Sequence, residues 1–456
     1  MYDIKIFNFE KTYLLNELIK IFLRPDQYRL LSEEDEVTED CIRINEENFA
    51  ERNQINRQIY DKLSSLTGIR PEWGILTGIR PVKLCGEIYE RLQDREEVLE
   101  VLTKEYYLSL EKAELIMDMY LHQQEFCGLA PEKSAGVYIG IPFCPTRCVY
   151  CSFASNQVPD VEIEKYLVAL HKEIQFTGRR MKETGIIPES IYIGGGTPTT
   201  LNAQQLEALI DIIKSSFDMD LVKEFTIEAG RPDTITEEKL SVIRQAGLDR
   251  ISINPQSMKA RTLELIGRSH APEDIEQAFA MAKEQKFDNI NADIIAGLPE
   301  ETVEDFQHTL EKVIALDPES ITVHCLAVKR ASKLNEQDPG FHYKQAELVG
   351  DMLAQSREML AEAGYFPYYL YRQKHMAGAF ENIGYCKKDK DCIYNIRIMD
   401  EHQIIMALGA GGISKMYYPE ENRLERVPNV TNYQEYIKRI DEMLDRKEMN
   451  IFKEVE

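Results

Sequence analysis

The sequence predicts an α/β fold: a partial (β/α)6 TIM-like barrel, preceded by an N-terminal α+β domain and followed by a C-terminal capping domain. Three observations predict it. The chain has 456 residues, about three times the ~150 of a typical domain. Its middle part alternates short β-branched runs with amphipathic helical stretches, the pattern of parallel strands joined by helical crossovers. Polar residues stand at or just after the ends of several of those runs, as a ligand-binding rim requires. The expected division is 1–130, 131–335 and 336–456.

Composition removes several function classes. Lys+Arg 54 against Asp+Glu 78 gives a net charge of −24 and a pI near 4.9, a field that repels phosphate backbones and anionic lipid headgroups. Nucleic acid and membrane are therefore not expected as partners. No apolar run approaches the ~18 residues that span a bilayer. The opening segment interrupts its apolar residues with Asp3, Lys5, Glu10 and Lys11, unlike a secretory leader. A cytoplasmic location is expected. Of nine cysteines, Cys41, Cys85, Cys127, Cys325, Cys386 and Cys392 are scattered without framework spacing, which argues against a disulfide scaffold.

In chain order, residues 1–130 mix short apolar runs with helical patterns, and Ser32–Glu36 is a solvated acidic stretch. TGIRP occurs at Thr67–Pro71 and again at Thr77–Pro81, with the single tryptophan, Trp73, between the copies. Pro81 is placed to open a helix through about Gln93, and Arg80 and Lys83 near its start fit ordinary capping and surface roles. Strands are predicted at Val137–Ile141, Ser190–Gly194, Glu224–Glu228, Arg250–Asn254, Asn289–Ile294 and Ser320–His324. Helices are predicted at Gln204–Ser216, Glu237–Ala246, Pro272–Lys286 and Val303–Leu316. Right-handed crossovers put every helix outside and every strand's C-terminal end on one rim. Beyond about 335 the alternation lapses into a long helix near Tyr343–Ala363, an aromatic run Tyr365–Tyr369 and a glycine-rich segment Leu408–Gly412.

Cys144, Cys148 and Cys151 lie on one loop just beyond the first barrel strand, at spacings that let a tight turn aim three sulfurs at a common centre. Structural zinc usually takes four protein ligands from two paired C-x-x-C units, and no second unit follows. Three thiolates on a four-iron cluster leave one iron open to a small molecule.

At these residues the chain resembles the radical S-adenosylmethionine superfamily, whose members carry CxxxCxxC after the first strand of a partial (β/α)6 barrel. The resemblance implies a 4Fe-4S cluster held by Cys144, Cys148 and Cys151, with the amine and carboxylate of S-adenosylmethionine on the open iron. An electron from the reduced cluster would cleave the sulfonium to methionine and a 5′-deoxyadenosyl radical. YxxIPFC from Tyr138, GGGTPT at Gly194–Thr199 and the Asp293–Pro299 stretch are similar to the oxygen-independent coproporphyrinogen III oxidase family. The TGIRP region and Tyr369–Lys374 resemble the coproporphyrinogen dehydrogenase subfamily of firmicute-like bacteria.

By motif position, the resemblance puts Tyr138 with the cysteines at the reacting centre. It lines the S-adenosylmethionine site with Tyr138, Tyr150, Gly195, Gly196, Thr197, Glu228, Gln256, Arg268, Asp293 and Ala327. The side-chain chemistry agrees: Glu228 suits a ligand amine, Arg268 a carboxylate, Asp293 a hydroxyl or amine, and consecutive glycines let backbone N–H groups approach a ligand. The expected partners are a tetrapyrrole substrate and a reducing electron donor such as flavodoxin or ferredoxin. The expected reaction is oxidative decarboxylation of coproporphyrinogen III to protoporphyrinogen IX. A substrate with four carboxylates calls for local cations, with Arg147, Lys329, Arg330, Lys333, Arg372 and Lys374 as candidates.

Well-studied members of the family have a histidine where this chain has Gly140 and a further cysteine where it has Phe153. The related haem chaperones carry His-Asn-x-x-Tyr-Trp where this chain reads Tyr394–Met399, leaving His375 or His402 as substitute haem ligands. The alternatives are therefore another radical tetrapyrrole reaction, such as methylation and ring opening of haem, or a haem-binding or transfer protein.

Overall fold

The computed structural model describes residues 1–455 apart from 79, 152, 154, 330, 331, 339, 374 and 375. The chain forms two compact units, Met1–His122 with Leu370–Lys374, and Gln123–Tyr369 with His375–Glu456.

In the first unit, β1 (Tyr2–Ile6) pairs in parallel with both β2 (Tyr28–Leu30) and β3 (Ile42–Ile44). The helices α1 (Tyr13–Phe22) and α2 (Arg52–Thr67) follow β1 and β3. Each repeats apolar residues at intervals of three and four, so one face is apolar. Leu15, Leu18, Ile19 and Phe22 of α1 and Ile55, Ile59 and Leu63 of α2 share one core with Ile4 and Ile44. Three helices complete the region: α3 (Pro81–Leu92), α4 (Arg95–Lys104) and α5 (Leu110–Phe126). Proline opens α3, as expected where a missing N–H leaves no helical bond unmade.

The second unit is built on six parallel strands lying side by side in chain order: β4 (Ser134–Ile141), β5 (Ile187–Gly195), β6 (Glu224–Glu228), β7 (Arg250–Ser252), β8 (Ile290–Ala296) and β9 (Ser320–Cys325). The connections carry α6 (Asp160–Thr184), α7 (Ala203–Ser216), α8 (Glu237–Gln245), α9 (Ala260–Leu265), α10 (Pro272–Glu284) and α11 (Val303–Ala315). This is the partial (β/α)6 barrel. The array is open, because β12 (Ile404–Leu408) pairs with β4 in parallel and β11 (Glu381–Cys386) pairs with β9 antiparallel.

Side-chain alternation decides which face of the sheet becomes the interior. Val137, Ile139, Ile191, Ile193, Phe225, Ile227, Ala292, Ile294, Ile321 and Val323 fall on one face and are buried. The residues between them, Tyr138, Tyr192, Glu228, Asp293 and His324, fall on the other and keep some exposure.

Residues 336–456, expected as a capping domain of their own, contribute strands to this same sheet. Besides β11 and β12 they supply β10 (Phe366–Arg372), β13 (Ile413–Tyr418) and β14 (Arg423–Pro428). Two further helices, α12 (Lys333–Gln337) and α13 (Ala346–Glu362), precede β10, and α14 (Ile393–Asp400) lies between β11 and β12. The chain closes with α15 (Tyr433–Lys438), α16 (Ile440–Lys447) and a short terminal turn.

The helix α14 packs against β4 and β5 on their polar face. Its Tyr394 stacks on Tyr192 at 4.8 Å and on Tyr138 at 6.2 Å between ring centroids. At its start the backbone N–H groups of Ile393 and Tyr394 donate to the Glu224 carboxylate at 2.8 and 3.3 Å, which anchors the helix at the beginning of β6. Buried Arg250 of β7 donates to the Lys390 carbonyl at 3.1 Å and to Ser320 Oγ at 2.6 Å. The interior is thus filled at the strands' N-terminal ends.

Candidate active site

The three thiols sit on a loop that closes immediately after β4. Asn156 donates to the Pro142 carbonyl through both its backbone N–H and its side-chain amide, at 2.9 Å each. Cys144 N–H donates to the Asn156 carbonyl at 3.1 Å, and Cys151 N–H to the Cys148 carbonyl at 3.2 Å. Outside the loop, Val149 N–H donates to the Ile266 carbonyl at 3.0 Å and the Thr146 hydroxyl to the Gly267 carbonyl at 3.1 Å.

Cys144 and Cys148 are buried and Cys151 is half-buried, all as free thiols. Burial pushes the Cys144 thiol up to about 11, partly opposed by the Thr197 hydroxyl 3.4 Å from its sulfur. Burial also pushes Cys151 up. Thiols in such a place need a bound cation or cluster to ionise. Among the described residues no three His, Cys, Asp or Glu side chains converge as they would on one metal ion. A cubane presents separate irons to its cysteines, so the sulfurs need not share a point. The donor set, three soft thiols on one loop, fits an iron–sulfur cluster.

Around the loop, the strand ends bring most of the expected residues together. Glu228 accepts from the Tyr192 hydroxyl at 2.8 Å and from the Gly195 N–H. Burial pushes its carboxyl up to about 7, with Asp293 adding to the effect and Tyr192 opposing it. Asp293 feels the same burial. Hydrogen bonds from His324, Asn291 and Thr322 outweigh it and hold that carboxyl low. Asn291 lies 2.8 Å and His324 Nε2 3.6 Å from its oxygens. Gln256 takes a left-handed backbone, φ 65°. Its N–H donates to the Asp293 carbonyl at 2.9 Å, and its own carbonyl accepts from Ile295 at 3.0 Å. Arg268 is buried and donates to the carbonyls of Asn254 at 2.6 Å and Gly230 at 3.2 Å, beside Tyr150 and Cys148. Its Nε has no hydrogen-bond partner among the described residues. Ala327 forms an isolated bridge with Met376 just past β9.

The glycine segment differs from expectation in what its backbone does. Gly195 donates to Glu228, while Gly196 and Thr197 donate to the carbonyls of Ile141 and Phe143 at 2.8 Å each. These three N–H groups are engaged within the protein. A Cβ at Gly195, whose φ is 121°, would lie 2.7 Å from the Ile141 oxygen, so the glycine is required for β5 to approach β4.

Among the cation candidates, Arg147 and Lys333 are exposed and Lys329 is half-buried, its amine pushed down by burial. Arg372 belongs to the first unit, where its guanidinium lies 5.0 Å from the Trp73 ring centre and donates to the Leu76 carbonyl. Arg330, Lys374 and His375 lie outside the described residues. His402 pairs with Asp400 at 2.9 Å, and Tyr394–Met399 lies in α14.

Three interior residues were missed by sequence reasoning. Tyr192 and His324 occupy the inward register beside Tyr138 and Asp293, a signal that strand alternation alone could have supplied. Arg231, three residues beyond Glu228, reaches the cysteine loop from a turn, and no spacing announces it.

Three free thiols at the C-terminal mouth of a partial parallel barrel, beside a raised carboxyl and a buried guanidinium, define the class of the radical S-adenosylmethionine proteins. The Radical SAM superfamily profile matches residues 138–313. The oxygen-independent coproporphyrinogen-III oxidase-like protein HemZ of Bacillus subtilis is 38% identical over 404 residues, 87% of this chain and 80% of that protein. This chain belongs to that oxygen-independent coproporphyrinogen-III oxidase-like family. The heme chaperone HemW of the same species is 37% identical over 43% of this chain and 51% of its own length. The Escherichia coli structure described as "Coproporphyrinogen III oxidase (HemN)" and as a radical SAM enzyme superposes with a TM-score of 0.54 at 22% identity, covering 70% of this chain and 72% of that one. It shares the fold. The cofactors are a 4Fe-4S cluster and S-adenosylmethionine, which the superfamily uses. No helix among the described residues is long and apolar enough to cross a membrane.

Proposed function

We propose that the protein is an oxidoreductase that decarboxylates two propionates of coproporphyrinogen III to vinyl groups, giving protoporphyrinogen IX. The observation that carries the radical chemistry is the buried three-thiol loop seated between Thr197, Arg268 and the mouth of the barrel. The substrate follows the relative that matches this chain across most of both lengths.

In this reading Cys144, Cys148 and Cys151 would hold the cluster through their three thiolates. When bound, the cluster and S-adenosylmethionine would supply the radical chemistry by which a hydrogen atom leaves the propionate β-carbon. Glu228 takes the ligand's ammonium. The glycine N–H groups nearby are already engaged, so the backbone there offers acceptors, which suits a cation. Arg268 takes the carboxylate, with Nε available. Asp293, fixed by Asn291 and His324, accepts from a hydroxyl. Tyr138, Tyr192 and Tyr394 form an aromatic base that keeps water from beneath the ligand. Arg147, Lys329 and Lys333 meet substrate carboxylates, and the propionate loses carbon dioxide and one electron to an external acceptor.

The test is anaerobic turnover of cluster-reconstituted protein with a low-potential reductant, S-adenosylmethionine and coproporphyrinogen III. Protoporphyrin after oxidation is expected. Deoxyadenosine formed without any change in the tetrapyrrole removes the substrate assignment. The HemW relationship favours haem binding as a second reading. Tight stoichiometric binding in a haem titration, without turnover, would establish it.

A further inference from the structure

We propose that Arg231 is a positioning residue that seats the Cys148 corner of the cluster and raises its reduction potential, an inference that rests on Cys148 being a cluster ligand. Neither strand spacing nor family motif drew attention to this arginine. It stands three residues beyond the end of β6 and heads a short turn, Pro232–Thr234, with its side chain 4% exposed. A buried guanidinium must find acceptors for all of its N–H donors, and the acceptors it finds determine what it can hold.

Here they divide into two edges. On one, Nε and Nη2 fork the two Asp233 oxygens at 3.0 and 2.9 Å, and Nη2 also reaches Ser269 Oγ at 3.3 Å. Ser269 itself donates to Asp233 at 3.0 Å, so the fork is braced. On the other, Nη1 donates to Thr146 Oγ1 at 2.7 Å and to the Thr146 carbonyl at 3.3 Å, and lies 4.0 Å from Cys148 Sγ. Thr146 stands between Cys144 and Cys148, and its hydroxyl passes the contact on to Gly267. One rigid plane therefore joins the turn after β6 to the middle of the cysteine loop and points an N–H at one sulfur.

The contacts are asymmetric. Arg268 also hydrogen-bonds Cys148, so this sulfur meets two guanidinium groups, whereas the Cys144 sulfur has the Thr197 hydroxyl at 3.4 Å and feels Arg231 only through space. Arg268 is assigned to the ligand carboxylate, which engages its charge when S-adenosylmethionine binds. Arg231 is held by Asp233, and a carboxylate partner neutralises most of its long-range charge. What reaches Cys148 is a directed N–H dipole. Hydrogen bonds to cluster sulfurs stabilise the reduced, more negative state and so raise the potential.

The experiment uses full-length holoprotein reconstituted without oxygen, as wild type and as Arg231→Gln, Arg231→Lys, Asp233→Asn and Cys148→Ala. Iron and sulfide content, the EPR spectrum of the reduced cluster and the midpoint potential are measured with and without S-adenosylmethionine. Arg231→Gln is expected to keep its iron, alter the EPR line shape and reduce the ratio of reduced to oxidised cluster about tenfold at a fixed potential, ~59 mV for one electron. Arg231→Lys, which keeps charge without the fork, recovers part of that loss. A fully loaded Arg231→Gln protein with wild-type spectrum and potential overturns the proposal. If Arg231→Gln loads poorly, Asp233→Asn decides, because it keeps the guanidinium but loosens its fork: a shifted spectrum and potential support the proposal, and unchanged ones overturn it. An unaltered cluster in Cys148→Ala would instead sink the ligand assignment beneath it.

Discussion

Glu228 shows how one residue's setting makes a testable pH dependence. A carboxyl raised to about 7 is largely neutral in the folded apo chain below that pH. If its ionised form binds the ligand ammonium, the affinity for S-adenosylmethionine rises as pH rises through about 7, by up to about tenfold per unit, and levels off above. Glu228→Gln should bind more weakly and without that slope. Equilibrium dialysis of holoprotein between about pH 6 and 8 reads both, and a flat wild-type profile would exclude the role. Gly195 makes a second prediction. The backbone at φ 121° and the 2.7 Å approach to Ile141 leave no room for a methyl group, so Gly195→Ala should cost about 1–3 kcal/mol and lower iron loading, by chemical denaturation and iron assay. At this scale the sequence was legible in placement: the cysteine loop follows its strand as spacing implies, and Glu228 and Asp293 stand on the strands that the motifs implied. Arg231 was not, because the contact that matters spans 85 residues of chain and an arginine after a strand has the same local pattern whether solvated or buried.

The elements were legible where local periodicity and capping agree. Glu224–Glu228 and the start of α10 at Pro272 fall where the pattern put them. The fourth barrel strand was expected to reach Asn254 but leaves the ladder after Ser252, because the Asn254 carbonyl accepts from Arg268. The interior position of α14 could not be read locally, since packing on an inner rather than an outer face depends on Glu224, Tyr138 and Tyr192 far away in sequence. The same holds for the bond between α6 and α16. Glu173 and Lys447 pair at 2.7 Å with neither side chain exposed, and Glu173 also accepts from Gly409 N–H, Asn429 and Tyr436. Lys447→Met strands that carboxylate among donors built for it. The expected loss is about 3–5 kcal/mol, measured as a lower midpoint in urea, with Glu173→Gln/Lys447→Met recovering a large part.

At the scale of the whole molecule, a net charge of −24 opposes the approach of the tetra-anionic substrate proposed above, so on that reading local cations matter more than their number suggests. Arg147 on the cysteine loop and Lys333 at the start of α12 are the exposed candidates. Reversing both, Arg147→Glu with Lys333→Glu, should raise KM for coproporphyrinogen about tenfold, ~1.4 kcal/mol of binding, with little change in kcat. A larger loss in kcat than in affinity would place them in the chemistry instead. The overall α/β architecture was readable because each βα unit is locally patterned; the sharing of one sheet by the C-terminal strands was not, because strand partners are chosen at long range. The floor that Tyr394 of α14 makes with Tyr138 and Tyr192 carries a kinetic expectation on the proposed reading. A nucleoside seated on that floor lies deeper than a tetrapyrrole at the strand ends, so ordered addition with the nucleoside first is expected, and product-inhibition patterns check it.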